Sequence, residues 1–215
     1  TSAPLLLREV WRDAPASTGT DAQPPTRFAA HRVLAFGGDP AWFDTVMAAL
    51  PGATGLSLPT EAGASGFMRM SQRLLQELHA LIATAPAGDT RLQVIIAEDP
   101  DADARMSAIA AMLKSAQQEC PALHGQAIRI DGLTAAASAD ALRADAQDDA
   151  VEIVHRSGHA RQIPTFEEIE ADGLQGHPWR ENGRYLITGG AGALGLLLVA
   201  RLATQLRRVR LVLTG

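Results

Sequence analysis

Lysine and tyrosine are almost absent: the 215 residues hold one of each, Lys114 and Tyr185, beside 18 arginines and 40 alanines. Arginine and alanine in place of lysine and bulkier residues read as GC-rich coding, not as a binding adaptation. The single cysteine, Cys120, cannot form an internal disulfide, so a reducing compartment is the simpler setting. No apolar run approaches the roughly 18 residues of a membrane span. The longest, Ala193 to Ala200, is under half of that. Positive charge is not in excess, and the net charge of −5 argues against a general nucleic-acid binder. At 47% hydrophobic and 20% charged residues the chain is ordinary for a globular protein, which excludes disorder, collagen and a disulfide scaffold. Its length suits one domain, or one and a half.

The chain starts at Thr1 without a signal-peptide pattern and stops at Gly215, directly after the apolar run Val209–Thr214. A bare strand at a terminus lacks its partners, so the sequence is expected to be an excerpt of a longer polypeptide.

Strand and helix patterns alternate along the chain. Leu5 to Trp11 reads as a short strand, and Arg12 to His31 as a loop. Arg32–Phe36 is a strand, followed by Gly37-Gly38-Asp39-Pro40 and a helix carrying Trp42, Phe43, Val46, Met47 and Leu50 at helical spacing. Asp39 suits the N-cap and Pro40 the first helical position. Leu56–Leu58 suggests a short strand. Phe67–Thr84 is a helix with Leu74, Leu75, Leu78, Leu81 and Ile82 on one side, ended by Ala85-Pro86-Ala87-Gly88. Leu92–Ala97 is a strand. Asp99-Pro100 opens a helix to about Gln118, with Met106, Ile109, Ala110 and Leu113 as its core face. Ala127–Asp131 is a strand and Ser138–Gln147 a helix. The two strand–Asp-Pro–helix stretches, Arg32–Leu50 and Leu92–Leu113, are either two similar βα units in one sheet or merely two good helix starts.

Val151–His155 and His159–Ile163 flank Arg156-Ser157-Gly158, a hairpin signal. Thr165 and Glu168 form a capping box, which predicts a short helix there. Gly173–Gly183 is loop-like and marks a subdomain boundary. Arg184–Thr188 is then a strand, Gly192–Leu206 a helix and Val209–Thr214 a strand. The whole predicts an α/β fold with a Rossmann-like parallel sheet flanked by helices. A non-binding structural subdomain, residues 1–178, precedes the start of a dinucleotide-binding subdomain, residues 179–215.

The motif that carries chemistry is Thr188-Gly189-Gly190-Ala191-Gly192-Ala193-Leu194-Gly195, with Gly-x-Gly-x-x-Gly at 190, 192 and 195. It follows an apolar strand, opens an apolar helix and leads to another apolar strand within about 30 residues, the context a dinucleotide fingerprint needs. Gly190 is expected to permit the tight turn, Gly192 to admit a pyrophosphate against the backbone, and Gly195 to let helix and strand pack closely. The helix N-terminus offers free N–H groups to the phosphates. The competing reading is a glycine-rich turn used only for packing. The Gly37-Gly38-Asp39 turn is the contrast: it lacks a third glycine, and the Asp39 carboxylate occupies the helix donors and repels phosphate. Glu98-Asp99 does the same at the second unit of this kind.

Other candidates are weaker. His155 and His159 are four apart, but in a hairpin, where they need not share a face. His31, His79, His124 and His177 are scattered. Glu167, Glu168, Glu170 and Asp172 read as a solvated helix face, and Asp148-Asp149 as a loop end. Cys120 has no activating neighbour. No metal-ligand spacing, Gly-x-Ser-x-Gly or Walker loop is present.

Thr188–Gly195 resembles the cofactor loop of the short-chain dehydrogenase superfamily. Gly183–Gly195 and Leu211–Gly215 resemble the first and second strands, with the loop between them, of the catalytic part of ketoreductase domains in modular polyketide synthases. The upstream α/β stretch, with its Val151–Ile163 hairpin, is similar in layout to their N-terminal structural subdomain. The residues around Leu186 and Leu213 resemble those of trans-acyltransferase assembly lines. The resemblance implies a multidomain, cytoplasmic enzyme of antibiotic biosynthesis. Its complete domain reduces a β-ketoacyl thioester on an acyl carrier protein with NADPH, beside neighbouring synthase domains and with no nucleic-acid or membrane partner. Thr188, Gly189, Gly190, Ala191, Gly192, Ala193, Leu194 and Gly195 are then the cofactor-binding residues. No catalytic residue carries over. The family's serine, tyrosine and lysine or asparagine lie beyond its second strand, whereas Tyr185 is in the first strand and Lys114 is upstream. The excerpt alone is expected to be inactive. Two alternatives stay open: a pseudo-ketoreductase that only organises its neighbours, and another NADP-dependent reductase with an unrelated N-terminal domain.

Overall fold

The computed structural model describes residues 5–15, 28–84, 88–96, 102–148, 152–158, 160–169 and 179–215. Two compact units emerge, one of Arg8–Glu167 and one of Thr1–Leu7 with Glu168–Gly215. The first contains β1 (Leu7–Asp13), β2 (Ala30–Phe36), α1 (Pro40–Ala48), β3 (Ala53–Leu58), α2 (Gly63–Ala83), β4 (Thr90–Ile96), α3 (Ala102–Glu119), β5 (Leu123–Asp131), α4 (Ala135–Ala146), β6 (Ile153–Ser157) and β7 (Ala160–Glu168). Its seven strands form one sheet in the order β1-β7-β6-β5-β4-β2-β3. β2 pairs in parallel with β3 and β4, and β4–β5 and β5–β6 are parallel too. The chain winds outward from β2 to β3, then crosses back past β2 to β4, the doubly wound plan.

Alternation along the strands makes two cores. Leu34, Phe36, Leu92, Val94, Ile96 and Ala127 face α2 and α3. Val33, Ala35, Ile95, Ile128 and Val154 face α1 and α4. A parallel sheet covered on both faces needs apolar residues at successive positions, which is why these strands read as near-continuous hydrophobic runs. Asp39 caps α1, its Oδ1 accepting from the Ala41 N–H at 3.0 Å, and Pro40 opens the helix. Thr134 caps α4 in the same way, so that helix starts three residues before the expected Ser138. α2 also starts earlier than expected, at Gly63. Its buried stripe is Met70, Leu74, Leu78 and Leu81, while Leu75 is 45% exposed.

The capping-box helix at Thr165 does not form. Residues 160–168 are strand β7, so Glu167 and Glu168 lie on a strand and not on a helix face. β7 pairs antiparallel with β6 from Ala160 to Gln162, which realises the hairpin. Hydrogen bonds from Ala14 N to Arg161 O and from Ile169 N to Leu6 O bracket it against the β1 side. The Thr-x-x-Glu signal is local, and pairing on both edges outweighs it. Pro164 is tolerated because pairing with β6 has stopped by then. Glu167 instead meets Arg8 and Arg12 of β1, at 3.4 and 3.7 Å. The expected features at Ala85–Ala87, Asp99-Pro100, Asp149, His159, Glu170, Asp172 and His177, and most of the Gly173–Gly183 boundary, lie outside the described residues.

A chain of polar side chains runs along the α4 side of the sheet. His31 Nε2 donates to Gln93 Oε1 at 2.8 Å, Gln93 Nε2 donates to Gln126 Oε1 and Leu142 O, and Gln126 Nε2 donates to Asp145 O. Arg91 donates to the carbonyls of Asp145 and Asp148 and so closes the C-terminal end of α4. The Asp145 carboxylate is fully buried and bridges Arg156 of β6 and Arg161 of β7, which are register partners. Burial holds the His31 imidazole below its ordinary pKa. The hydrogen bond to Gln93 partly opposes this, and the Arg91 charge adds to it. The neutral ring is therefore favoured in the fold. Its contribution to stability is full above the unfolded value, about 6.5, and is lost as pH falls below it. Urea midpoints at neutral pH and near pH 5 check this: His31→Gln should flatten the decline, and an undiminished decline in the variant would refute it.

The second unit holds β8 (Gly183–Thr188), α5 (Ala193–Gln205) and β9 (Val209–Thr214), with β8 and β9 paired in parallel from Gly183–Val209 to Thr188–Thr214. At the strand entrances Glu181 accepts from the backbone N–H groups of Arg207 and Arg208, at 2.9 and 3.0 Å. Those two N–H groups hold its carboxyl below the usual range. No helix among the described residues is long and apolar enough to cross a membrane.

Candidate functional site

The predicted cofactor loop, Thr188–Gly195, runs from the last residue of β8 through the turn at Gly189–Gly192 into the first turn of α5. Gly189 carries the positive φ of the turn, +66°. The sequence pattern assigns that turn to Gly190, but Gly190 serves close approach instead: a Cβ there would sit 2.8 Å from Ile187 O and 2.9 Å from the Leu213 side chain. At Gly195 a Cβ would lie 2.6 Å from Gly190 Cα and 2.7 Å from Gly189 O, so the first turn of α5 rests directly on the loop backbone. In this loop Gly190 is buried, while Gly189 and Ala191–Leu194 are exposed. Gly192 is the N-cap of α5 and supplies no side-chain cap. Its N–H donates to Gly189 O, and its carbonyl accepts the first helical hydrogen bond, from Leu196 N. The N–H groups of the first helical turn have no intrahelical acceptors, and a helix end that is exposed and uncapped presents them, with the partial positive charge of the helix, to an anion. Gly190 N donates to Thr214 O, which ties the loop to the end of β9. Gly215 follows, its Cβ position 3.9 Å from the Ala191 methyl.

The turn after β2 shows what a closed version of this geometry looks like. There the Asp39 carboxylate sits on a helix donor, the Ala41 N–H. The crevice beside it, lined by Gly37, Asp39, Trp42, Ile95, Ile130 and Leu133 among others, encloses about 140 Å³. Small-molecule sites are typically about 300–1,000 Å³.

The remaining candidates do not join the loop. Tyr185 makes an edge-on ring contact with Trp179, and its hydroxyl accepts from Arg180 N at 2.7 Å, at the strand entrance and away from the glycines. Lys114 pairs with Glu152 in the first unit. His155 Nε2 meets Asp131 Oδ2 at 2.7 Å. Among the described residues no group of three or more His, Cys, Asp or Glu is placed to hold a metal ion. Glu181 escaped the sequence reading, because its acceptors' partners are backbone groups 26 and 27 residues away.

A doubly wound sheet, together with a βαβ unit built on a glycine loop, defines a Rossmann-like α/β protein. No protein-family model matches the chain. It is 26% identical over 214 residues to the polyketide synthase PksN of Bacillus subtilis (strain 168), across 98% of this chain and 4% of that protein. It is 29% identical over 164 residues to the polyketide synthase PksL of the same organism, across 75% of this chain and 4% of that protein. Among solved structures it is similar to a ketoreductase domain from the bacillaene assembly line, with a TM-score of 0.76 and 23% identity, across 98% of this chain and 49% of that one. The chain thus spans about half of that ketoreductase and a small fraction of the synthases. Its fold is that of the ketoreductase domains of polyketide synthase assembly lines, and its sequence relatives are polyketide synthases.

Proposed function

We propose that the chain is part of a polyketide synthase ketoreductase. Residues 1–178 are its structural subdomain, and residues 179–215 begin the subdomain that binds NADPH. The complete domain reduces a β-ketoacyl thioester carried by an acyl carrier protein, among neighbouring synthase domains. The observation that carries this reading is the exposed helix N-terminus at Gly192, which has no side-chain cap, where the equivalent turn of the first unit is capped by Asp39. The loop would cradle the pyrophosphate through the N–H groups at the start of α5. NADPH supplies the hydride, and this chain's residues bind and orient it. The proton donor lies outside these residues, since Tyr185 is engaged at the other end of β8. A packing-only module has no need of an open anion site, which favours a working reductase over a pseudo-ketoreductase.

Dinucleotide sites that prefer NAD place an Asp or Glu about 20 residues beyond the loop, against the ribose 2′-hydroxyl. Gly215 lies at that spacing from Gly195. In the polypeptide carried on past Gly215, Gly215→Asp should weaken NADPH relative to NADH by about tenfold or more, the scale of one like-charge contact near a surface. Fluorescence titration of both nucleotides checks this. An unchanged ratio would remove the 2′-phosphate from this strand end.

A further inference from the structure

Helix α2 carries two apolar stripes. Met70, Leu74, Leu78 and Leu81 are buried against the sheet. Met68, Leu75 and Ile82 make the second, seven residues apart, and a helix returns to nearly the same side at that spacing. Met68 is 61% and Leu75 45% exposed, and Ile82 is half-buried. Packing against the sheet does not account for this line, and a contiguous exposed apolar line marks a contact surface. Beside it, between α2 and α3, lies a hollow of about 280 Å³, lined by Leu75, His79 and Ile82 on one side and Met112, Ser115 and Glu119 on the other. The face is thus uneven along its length. The protruding Met68 stands toward the N-terminal end of α2, and the hollow opens toward its C-terminal end. Charge is divided in the same way. Arg69, beside Met68, is exposed and pairs with Glu61. Glu119, at the hollow, is exposed and has no ion-pair partner among the described residues. Gln72, Gln76 and Ser115, also exposed, carry no charge.

A face with a knob and a cation at one end, and a hole and an anion at the other, complements a copy of itself turned end over end, as an isologous contact requires. We propose that the α2–α3 face binds a second copy of this chain, with the two α2 helices antiparallel across a two-fold axis at Leu75. Leu75 then meets its own symmetry mate. Met68 and Ile82 are equally far from Leu75, so Met68 of one copy meets Ile82 of the other and enters its hollow. An unbranched thioether suits that role, because it adapts to an irregular cavity. The same rotation brings Arg69 of one copy to Glu119 of the other, twice in each dimer. A parallel pairing would set Glu119 against Glu119 and leave both hollows unfilled, and like charges across an interface are costly. None of these residues belongs to the cofactor loop, so the proposal stands or falls independently of the reductase reading.

The 215-residue chain itself is the material for the test. Sedimentation equilibrium over a concentration series should show the mass rise from 22.7 kDa toward twice that value. Leu75→Glu puts two carboxylates on the axis and should weaken association at least about tenfold, the scale of facing like charges. Circular dichroism confirms that this exposed substitution leaves the fold in place. Glu119→Arg should weaken association severalfold, and adding Arg69→Glu should restore most of the loss, because the reversed pair is again self-complementary. Two purely structural effects would instead add. In a Cys120→Ser background, Leu75→Cys should oxidise to a disulfide-linked dimer, whereas Arg73→Cys, on the far side of α2, should not. A chain that keeps a mass of 22.7 kDa throughout overturns the proposal. So does association that Leu75→Glu leaves at full strength, or crosslinking of Arg73→Cys as readily as of Leu75→Cys.

Discussion

Asp145→Ala is expected to cost the protein about 3–5 kcal/mol of stability, the usual scale for removing one member of a buried ion pair and leaving its partner charged. The Asp145 side chain has no exposure, and those of Arg161 and Arg156 have 4% and 11%. Both Asp145 oxygens are used: Oδ1 accepts from Arg161 Nε and Arg156 Nη2, and Oδ2 accepts from Arg156 Nε. Arg161 keeps Asp148 at 2.8 Å after the change, whereas Arg156 is left facing another arginine across the β6–β7 pair. Urea denaturation should show a lower midpoint with an unchanged slope. A loss below about 1 kcal/mol, the range of an exposed pair, would mean that water reaches the cluster. Asp145→Asn should fall between the two, since it keeps an acceptor but not the charge.

The second large effect is expected at the loop. In the extended protein, Gly192→Asp should abolish NADPH binding and leave the fold largely intact. A Cβ at this position sits 3.2 Å from Gly189 O, tight but not prohibitive. The carboxylate would take the helix donors, as Asp39 does on α1, and repel the pyrophosphate. The loss is that of a few charge-assisted hydrogen bonds at about 1.5–3 kcal/mol each, so affinity should fall by at least about 100-fold. Asp39→Gly should not open a second site, because the crevice beside it, at about 140 Å³, is too small for a nucleotide. Titration of both variants with circular dichroism as a fold control checks the pair. Normal NADPH binding by Gly192→Asp would reduce the glycine loop to a packing turn.

Features whose physics is local were legible in the sequence. Phe43 and Val46, or Met106, Ile109 and Leu113, announce a helix by spacing alone, and Asp39-Pro40 announces its start. The glycine loop belongs to the same kind, since strand, turn and helix lie within a dozen residues. Its inner detail does not: that Gly189 takes the positive φ and Gly190 the close contact depends on Leu213, on the neighbouring strand. Thr165–Glu168 misled because its capping box is satisfied only if nothing pairs with the segment, and β1 comes from the far end of the chain. The polar chain from His31 through Gln93, Gln126 and Asp145 to Arg161 was invisible for the same reason. Each of these residues, taken alone, reads as an exposed polar residue, and burial is acceptable only because partners up to 62 positions apart in sequence complete one another's hydrogen bonds.

The most direct test of the reductase reading is NADPH oxidation with a β-ketoacyl thioester, followed at 340 nm, for the polypeptide extended past Gly215 and for residues 1–215 side by side. The extended protein should turn over. The 215 residues should not, because no tyrosine follows the loop to donate the proton. Turnover by the short chain above the rate without enzyme would contradict the account, as would a folded, NADPH-binding extended protein that never oxidises the cofactor.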